Sequence, residues 1–203
     1  MSGASAKLRR VLNKLIQPWR GPGPSLMAAN SAYEAFQIGR WTYGWPEVHR
    51  WRSTQQLSIG SFCSIATGVK ILLGGEHRAD FVSTFPFGQF FGVGDANAHE
   101  FSRGDVIIGN DVWIGNGALI LSGTRIGDGA VIGAYSLVKG EIPPYAIAVG
   151  NPARVVRYRF SPAIVDQLLR IRWWDWDDDS IKRRATELMS ENIAAFLDHF
   201  GTR

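Results

Sequence analysis

The chain has 203 residues, 45% of them hydrophobic, with a formal net charge of +4 and a sequence pI of about 9.5. That length fits one domain with small appendages and a sizeable core, and so mild a charge excess, with no long basic stripe, argues against nucleic acid as a partner. The single cysteine, Cys63, excludes an internal disulfide and a cysteine-based zinc site and fits a reducing, cytoplasmic setting, while the lack of any run of eighteen apolar residues excludes an integral membrane span.

Residues 1–30 read as an N-terminal extension. Leu8, Val11, Leu12, Leu15 and Ile16 fall on one helical face, bordered by Lys7, Arg9, Arg10 and Lys14. Charge interrupts this stretch too often for a signal peptide. So short a helix is expected to dock on its own protein or a neighbouring subunit rather than on a lipid surface, and "GPGP" at 21–24 ends it.

A period of six governs residues 31–160. Aliphatic heads stand at Ile59, Ile65 and Ile71, then at Ile108, Ile114, Ile120, Ile126, Ile132 and Val138. Gly109, Gly115, Gly127 and Gly133 follow four of them, and Val112, Ala118, Thr124, Ala130, Ser136 and Ile142 come four places after the heads. "FQIGRWTYG" reads as an isolated turn of the same kind. Period six fits neither an amphipathic helix nor a simple alternating strand; it fits a parallel β-helix, so the fold class is mainly β. Three hexads complete a coil, with 57–74 supplying about one and 106–142 about two. Each head points inward, and the glycine beside it relieves crowding. Cys63 falls at a core position and is expected to be packed rather than reactive.

Between these runs, residues 75–105 break the rhythm. A loop this long in a compact domain is usually functional, and Phe81, Phe85, Phe87, Phe90, Phe91 and Phe101 make it too aromatic for disorder. At its root, in "ILLGGEHRAD", stands His77. His49 lies in a linker rich in Trp and Arg, His99 is a lesser candidate for touching an acceptor, and His199 belongs to the tail. Pro143–Pro144 ends the rhythm, and residues 161–203 read as a helical cap that hides the last coil. Ser161 and Pro162 start one helix, and Asp177–Asp179 with Ser180 cap the next. Leu188, Met189, Ile193, Phe196 and Leu197 are expected on its apolar face, and Trp173, Trp174 and Trp176 are expected to be structural.

"IGNDVWIGNGALILSGTRIGDGAVIGAYSLV", followed by "IPPYAIAVGNPARVV", resembles the hexapeptide-repeat acyltransferases. "IGRWTYG", "LSIGSFCSIATGVKILLGGEHRAD", "STFPF" and "LLRIRWWDW" are similar to the xenobiotic branch, which acetylates hydroxyls of chloramphenicol or streptogramins. The resemblance covers about residues 36–180. It implies a left-handed parallel β-helix, a homotrimer, acetyl-CoA as acyl donor, no metal, and a small-molecule hydroxyl acceptor of antibiotic-like or sugar type. It makes His77 the general base, a task suited to an imidazole with an ordinary pKa near ~6.5. It implies a coenzyme A cleft between subunits at Trp113, Gly115, Asn116, Gly133, Ala134, Lys139 and Arg154, with Arg157 as a lesser helper. Gly115, Gly133 and Ala134 would offer backbone to the pantetheine arm, and Lys139 and Arg154 would meet phosphates. Tyr43, Glu76 and Phe85 would line the acceptor.

Two positions depart from the family pattern. Glu76 stands where many relatives carry Asn, and is expected to shape the acceptor pocket, pair with Arg78 or raise the pKa of His77. Lys139 comes one place early, with Gly140 where the family lysine would be. Amino-sugar N-acetylation and a non-catalytic β-helix scaffold stand as alternatives. A metal-dependent lyase on the same coil needs three converging imidazoles, and the sequence suggests no second or third ligand near His77.

Overall fold

Each hexad folds as a strand of two or three residues followed by a corner. The strand turns its head inward and the preceding residue outward, because successive strand side chains point to opposite faces: in Trp113–Ile114 the tryptophan is exposed and the isoleucine buried. The corner falls three places after the head, at Asp111, Gly117, Gly123, Gly129 and Tyr135, with φ of 54°, 67°, 71°, 69° and 55°. Glycine takes this left-handed backbone freely, whereas a side chain there costs roughly 1–2 kcal/mol. The computed structural model describes residues 26–51 and 54–201; the basic helix expected near the N-terminus lies outside the described residues.

The corners distribute the strands over three sheets. The first holds Gln37–Ile38 (β1), Leu57–Ile59 (β3), Val106–Ile108 (β8), Arg125–Ile126 (β11) and Glu141–Ile142 (β14), in that order. The second holds Ser64–Ile65 (β4), Trp113–Ile114 (β9), Val131–Ile132 (β12), Ala146–Gly150 (β15) and Ala153–Tyr158 (β16). The third holds Glu47–His49 (β2), Lys70–Leu72 (β5), Leu119–Ile120 (β10) and Leu137–Val138 (β13). All pairings within them are parallel except the closing hairpin β15–β16. Ile108 pairs with Ile126, Ile114 with Ile132 and Ile120 with Val138, each eighteen residues on. Three hexads therefore make a coil, and the chain is a parallel β-helix.

The heads form the core. Ile71, Ile114, Ile120, Ile132 and Val138 are wholly buried, as is Cys63. Complete removal of such an aliphatic side chain from water contributes roughly 1.5–3 kcal/mol.

Three expectations are corrected. "FQIG" is no isolated turn: β1 pairs with β3 and β2 with β5, so His49 sits in a strand of an additional first coil rather than in a linker. Ile142, four places after Val138, is itself a head, buried opposite Ile126. Gly140, with φ of 77°, turns that coil early, so the pairing from β11 to β14 spans sixteen residues. Met189 is 78% exposed because the apolar run is two helices, and it stands at the C-terminus of the first.

Between Leu73 and Gly104 the chain adds no strand to the three sheets. It forms the antiparallel pair Glu76–His77 (β6) and Glu100–Phe101 (β7), and the short helix Phe87–Phe91 (α1). After β16 come Pro162–Ile171 (α2), Asp178–Leu188 (α3) and Ile193–Phe200 (α4). Pro162 opens α2, although Ser161 makes no side-chain cap bond, and Asp177 caps α3 by accepting from the Ser180 N–H at 2.8 Å. Leu168, Trp174, Phe196 and Leu197 form a second buried cluster around Tyr145. Arg40 of the first coil holds the segment that joins these helices: it donates to the Trp174 carbonyl at 3.1 Å, to the Trp176 carbonyl and to Asp178, and lies 5.0 Å from the Phe62 ring centre. Among the described residues no helix is long and apolar enough to cross a membrane.

Candidate active site

The hairpin β6–β7 leaves the corner where the third sheet passes to the first. Gly75 makes the exit possible: its φ is 85°, and a Cβ there would lie 2.5 Å from the Trp51 ring. Strand alternation then sends Glu76 and His77 to opposite faces. Glu76 faces the coil, where its carboxylate accepts from the buried Ser122 hydroxyl at 2.8 Å, and Arg103 lies 3.9 Å away. It does not pair with Arg78, whose Nε donates to Asp80 at 2.7 Å and whose guanidinium lowers the Asp80 carboxyl to about 2. Thus Glu76 pins the hairpin to the coil instead of sharing the side occupied by His77.

His77 is exposed on the other face. Its Nδ1 lies 2.7 Å from the Thr84 carbonyl oxygen. A carbonyl can only accept, so Nδ1 carries the hydrogen, and in the neutral ring Nε2 keeps its lone pair. The His99 ring stands edge-on to His77, with centroids 5.1 Å apart, and its carbonyl accepts from the Arg78 N–H at 3.0 Å. The expectation that no second imidazole lies near His77 is therefore wrong, because β7 folds His99 back onto β6. Among the described residues no group of three metal-ligating side chains forms. Phe85, next to Thr84, packs with Phe87, Phe90 and Phe91 at centroid separations of 5.0, 5.2 and 6.1 Å, giving an exposed aromatic surface.

The residues expected at the donor cleft lie elsewhere on the coil. Gly115, Asn116, Gly133 and Ala134 occupy the corner where the second sheet passes to the third. Trp113 and Arg154 project from the second sheet, both exposed. Only Lys139 shares the corner from which the His77 hairpin departs. Tyr43 bridges to Ser64 on the second sheet, away from that corner. The backbone of Gly115 and Gly133 takes part in the coil's own hydrogen bonding. Their N–H groups donate to Ile132 and Ala148 at 2.8 and 2.9 Å, and their carbonyls accept from Ala118 and Ser136. Their lack of a side chain serves coil stacking: a Cβ on Gly115 would come within 2.6 Å of the Ala134 nitrogen. Asn116 donates to the Thr67 carbonyl at 2.7 Å, while Ala134 stays exposed.

The bacterial transferase hexapeptide (six repeats) family matches residues 105–140. A chloramphenicol acetyltransferase of Escherichia coli is 45% identical over 148 residues, 69% of this chain and 69% of the relative. A probable macrolide acetyltransferase of Lysinibacillus sphaericus is 42% identical over 142 residues, covering 67% of this chain and 78% of that one. A virginiamycin A acetyltransferase of Staphylococcus aureus is 40% identical over 143 residues, covering 68% and 65%. The chain belongs to the xenobiotic branch of the hexapeptide-repeat acyltransferases. It is an acetyl-CoA-dependent acetyltransferase.

Two residues that hold this acetyltransferase's hairpin, Thr84 and Ser122, escaped the sequence reading, and the place of His99 beside His77 was not foreseen. Thr84 contributes only a carbonyl, which any residue could supply, so nothing in its identity marks it. Ser122 sits at a repeat position where a small residue is unremarkable. His99 was visible as a histidine, but only the pairing of β6 with β7 brings it to His77.

Proposed function

We propose that the acetyltransferase transfers an acetyl group from coenzyme A to a hydroxyl of an antibiotic-like or sugar acceptor, with His77 as general base. The observation that carries this reading is the Thr84 carbonyl on His77 Nδ1. It orients the ring and leaves Nε2 able to take a proton. His77 removes the hydroxyl proton as the acceptor oxygen bonds to the thioester carbonyl carbon. The carbon–sulfur bond then breaks, and the imidazolium returns the proton to the departing thiolate. The products are an acetyl ester and free thiol, with His77 regenerated. General base assistance of this kind is typically worth about 10²–10⁴ in rate. The aromatic surface of Phe85, Phe87, Phe90 and Phe91 suits an acceptor with an apolar body, as the chloramphenicol and macrolide relatives require.

The active unit in this reading is a homotrimer of left-handed coils. His77 and the corner at Asn116 and Ala134 sit at different corners of one chain, which supports a site where the hairpin of one copy meets the donor corner of the next. Trp113, Asn116 and Ala134 would line the donor cleft, with Gly115 and Gly133 setting the corner's shape, and Lys139 and Arg154 would meet its phosphates. Residues 31–160 would form the coil with loop 75–105, and 161–203 its cap, on this proposal. Tyr43, from another copy, would meet the acceptor, and Glu76 would act by fixing the hairpin.

The test is thiol release from acetyl-CoA with chloramphenicol, streptogramin A and a panel of sugars, for the wild type and His77→Ala. Turnover of at least one acceptor, lowered about 10²–10⁴-fold in the variant, is expected. A variant with full activity would remove His77 from the mechanism.

A further inference from the structure

His77 leaves the coil on an exposed hairpin, and the bond from Nδ1 to the Thr84 carbonyl holds its ring at one point. A single point of attachment leaves the ring able to turn about that bond. Nε2 lies off the axis of such a turn and is carried with it. A base that must meet one acceptor hydroxyl needs a second constraint.

His99 supplies a second contact. The two ring centroids are 5.1 Å apart and the planes cross at 66°, the edge-to-face arrangement that aromatic rings favour. The partners differ in how they are held. His77 is exposed, whereas His99 is 8% exposed. His99 also sits on a turn closed by its own hydrogen bonds. The Ala98 N–H donates to the Asp95 carbonyl at 3.2 Å, the Asn97 N–H to the Asp95 carboxylate at 2.8 Å, and the Glu100 N–H to the Asn97 carbonyl at 2.9 Å. The His99 carbonyl accepts from the Arg78 N–H at 3.0 Å, which fastens the turn to the residue after His77. A buried ring on a closed turn is the fixed partner, and the exposed ring is the one it fixes. So little exposure also leaves an acceptor almost nothing of His99 to touch.

We propose that His99 is a positioning residue for acetyl transfer. Its ring is the wall against which the His77 imidazole stands, with Nδ1 on the Thr84 carbonyl and Nε2 turned to the acceptor. His99 exchanges no proton with the substrate and acts only through His77. The inference rests on His77 as the base, as proposed above, and adds the group that aims it.

The experiment reads the His77 ring in the intact protein by long-range nitrogen–proton NMR correlation at about pH 9, above the ordinary histidine range near ~6.5. The wild type should show one tautomer, with the hydrogen on Nδ1, and His99→Ala should show both. With chloramphenicol as acceptor, His99→Ala should lower kcat about 10–100-fold, the cost of a base misplaced by about an ångström, with KM for acetyl-CoA and chloramphenicol little changed. His99→Phe, which keeps a ring, should restore the single tautomer and most of kcat. A single Nδ1–H tautomer in His99→Ala would overturn the proposal. So would full kcat in His99→Ala beside an inactive His77→Ala, or a raised KM for chloramphenicol with kcat kept, which would put His99 on the acceptor. Full activity in His77→Ala would remove the base itself, and this inference with it. The ring signals need no acceptor, so they decide if chloramphenicol is not turned over. If His99→Ala does not fold, His99→Gln, which removes the ring but keeps a longer side chain, takes its place in both measurements.

Discussion

A carbonyl partner on one imidazole nitrogen dictates what the other can do, so at the scale of the residue His77 depends on Thr84, seven places away. The sequence marked His77 because it stands where the period of six stops. It could not mark Thr84, since the bond uses backbone. Cys63 shows the opposite case, because its place in the period was enough. Burial raises its thiol to about 12. The folded protein therefore keeps the proton where an unfolded thiol, with a pKa near ~8.5, has lost it. Iodoacetamide at pH 8 should leave Cys63 unlabelled in the folded protein and label it in denaturant, as read by mass spectrometry. The same shift makes its stability contribution complete below the unfolded thiol's pKa and progressively lost as pH rises from there towards 12. Gly117 carries a second residue-level prediction. Its φ is 67°, and a Cβ there would come within 2.6 Å of the Tyr135 ring. Gly117→Ala should cost about 1–2 kcal/mol in urea denaturation from left-handed strain, because the exposed Tyr135 ring can move aside.

Elements were legible to the extent that a period carried them. The heads from Ile108 to Val138 announced every strand from β8 to β13, because each hexad repeats one local solution. The corners three places on were also written in the sequence, as Gly117, Gly123 and Gly129, yet attention to the glycine beside each head hid them. The coil ending at Ile142 is two residues short because Gly140 turns the chain before the period allows. The hairpin β6–β7 had no period at all, and its docking rests on the pair Glu76–Ser122. Ser122 both donates to that carboxylate and accepts from the Arg103 N–H at 2.9 Å. Ser122→Ala should lose about 1.5–3 kcal/mol, the range for a hydrogen bond to a charged group. The loss should appear as faster hydrogen exchange at the Arg78 amide, which closes the hairpin onto His99. Unchanged exchange there would separate Glu76 from the hairpin's anchorage.

At the scale of the molecule, the C-terminal helices pack on Phe62 and Tyr145, at corresponding corners of different coils, and so lie along the side of the coil. The sequence carried the cap's helical pattern, but not the clamp on it, because Arg40 and Asp178 are far apart in the chain. Arg40→Met keeps much of the side chain's bulk while removing its hydrogen bonds to the Trp174 and Trp176 carbonyls. It should lower stability by about 1–2 kcal/mol, discounted for its partial exposure, with early loss of the cap's tryptophan fluorescence on heating. The coil's three corners also separate His77 from the corner at Asn116 and Ala134, and on the proposed function that separation makes a site shared between copies the central claim. The direct test mixes two variants after joint refolding: His77→Ala, which lacks the proposed base, and Ala134→Arg, which blocks the proposed donor corner. If each site takes its base from one copy and its donor corner from another, random mixing in a trimer restores about a quarter of wild-type activity. If each chain carried its own complete site, the mixture would stay as inactive as its two components.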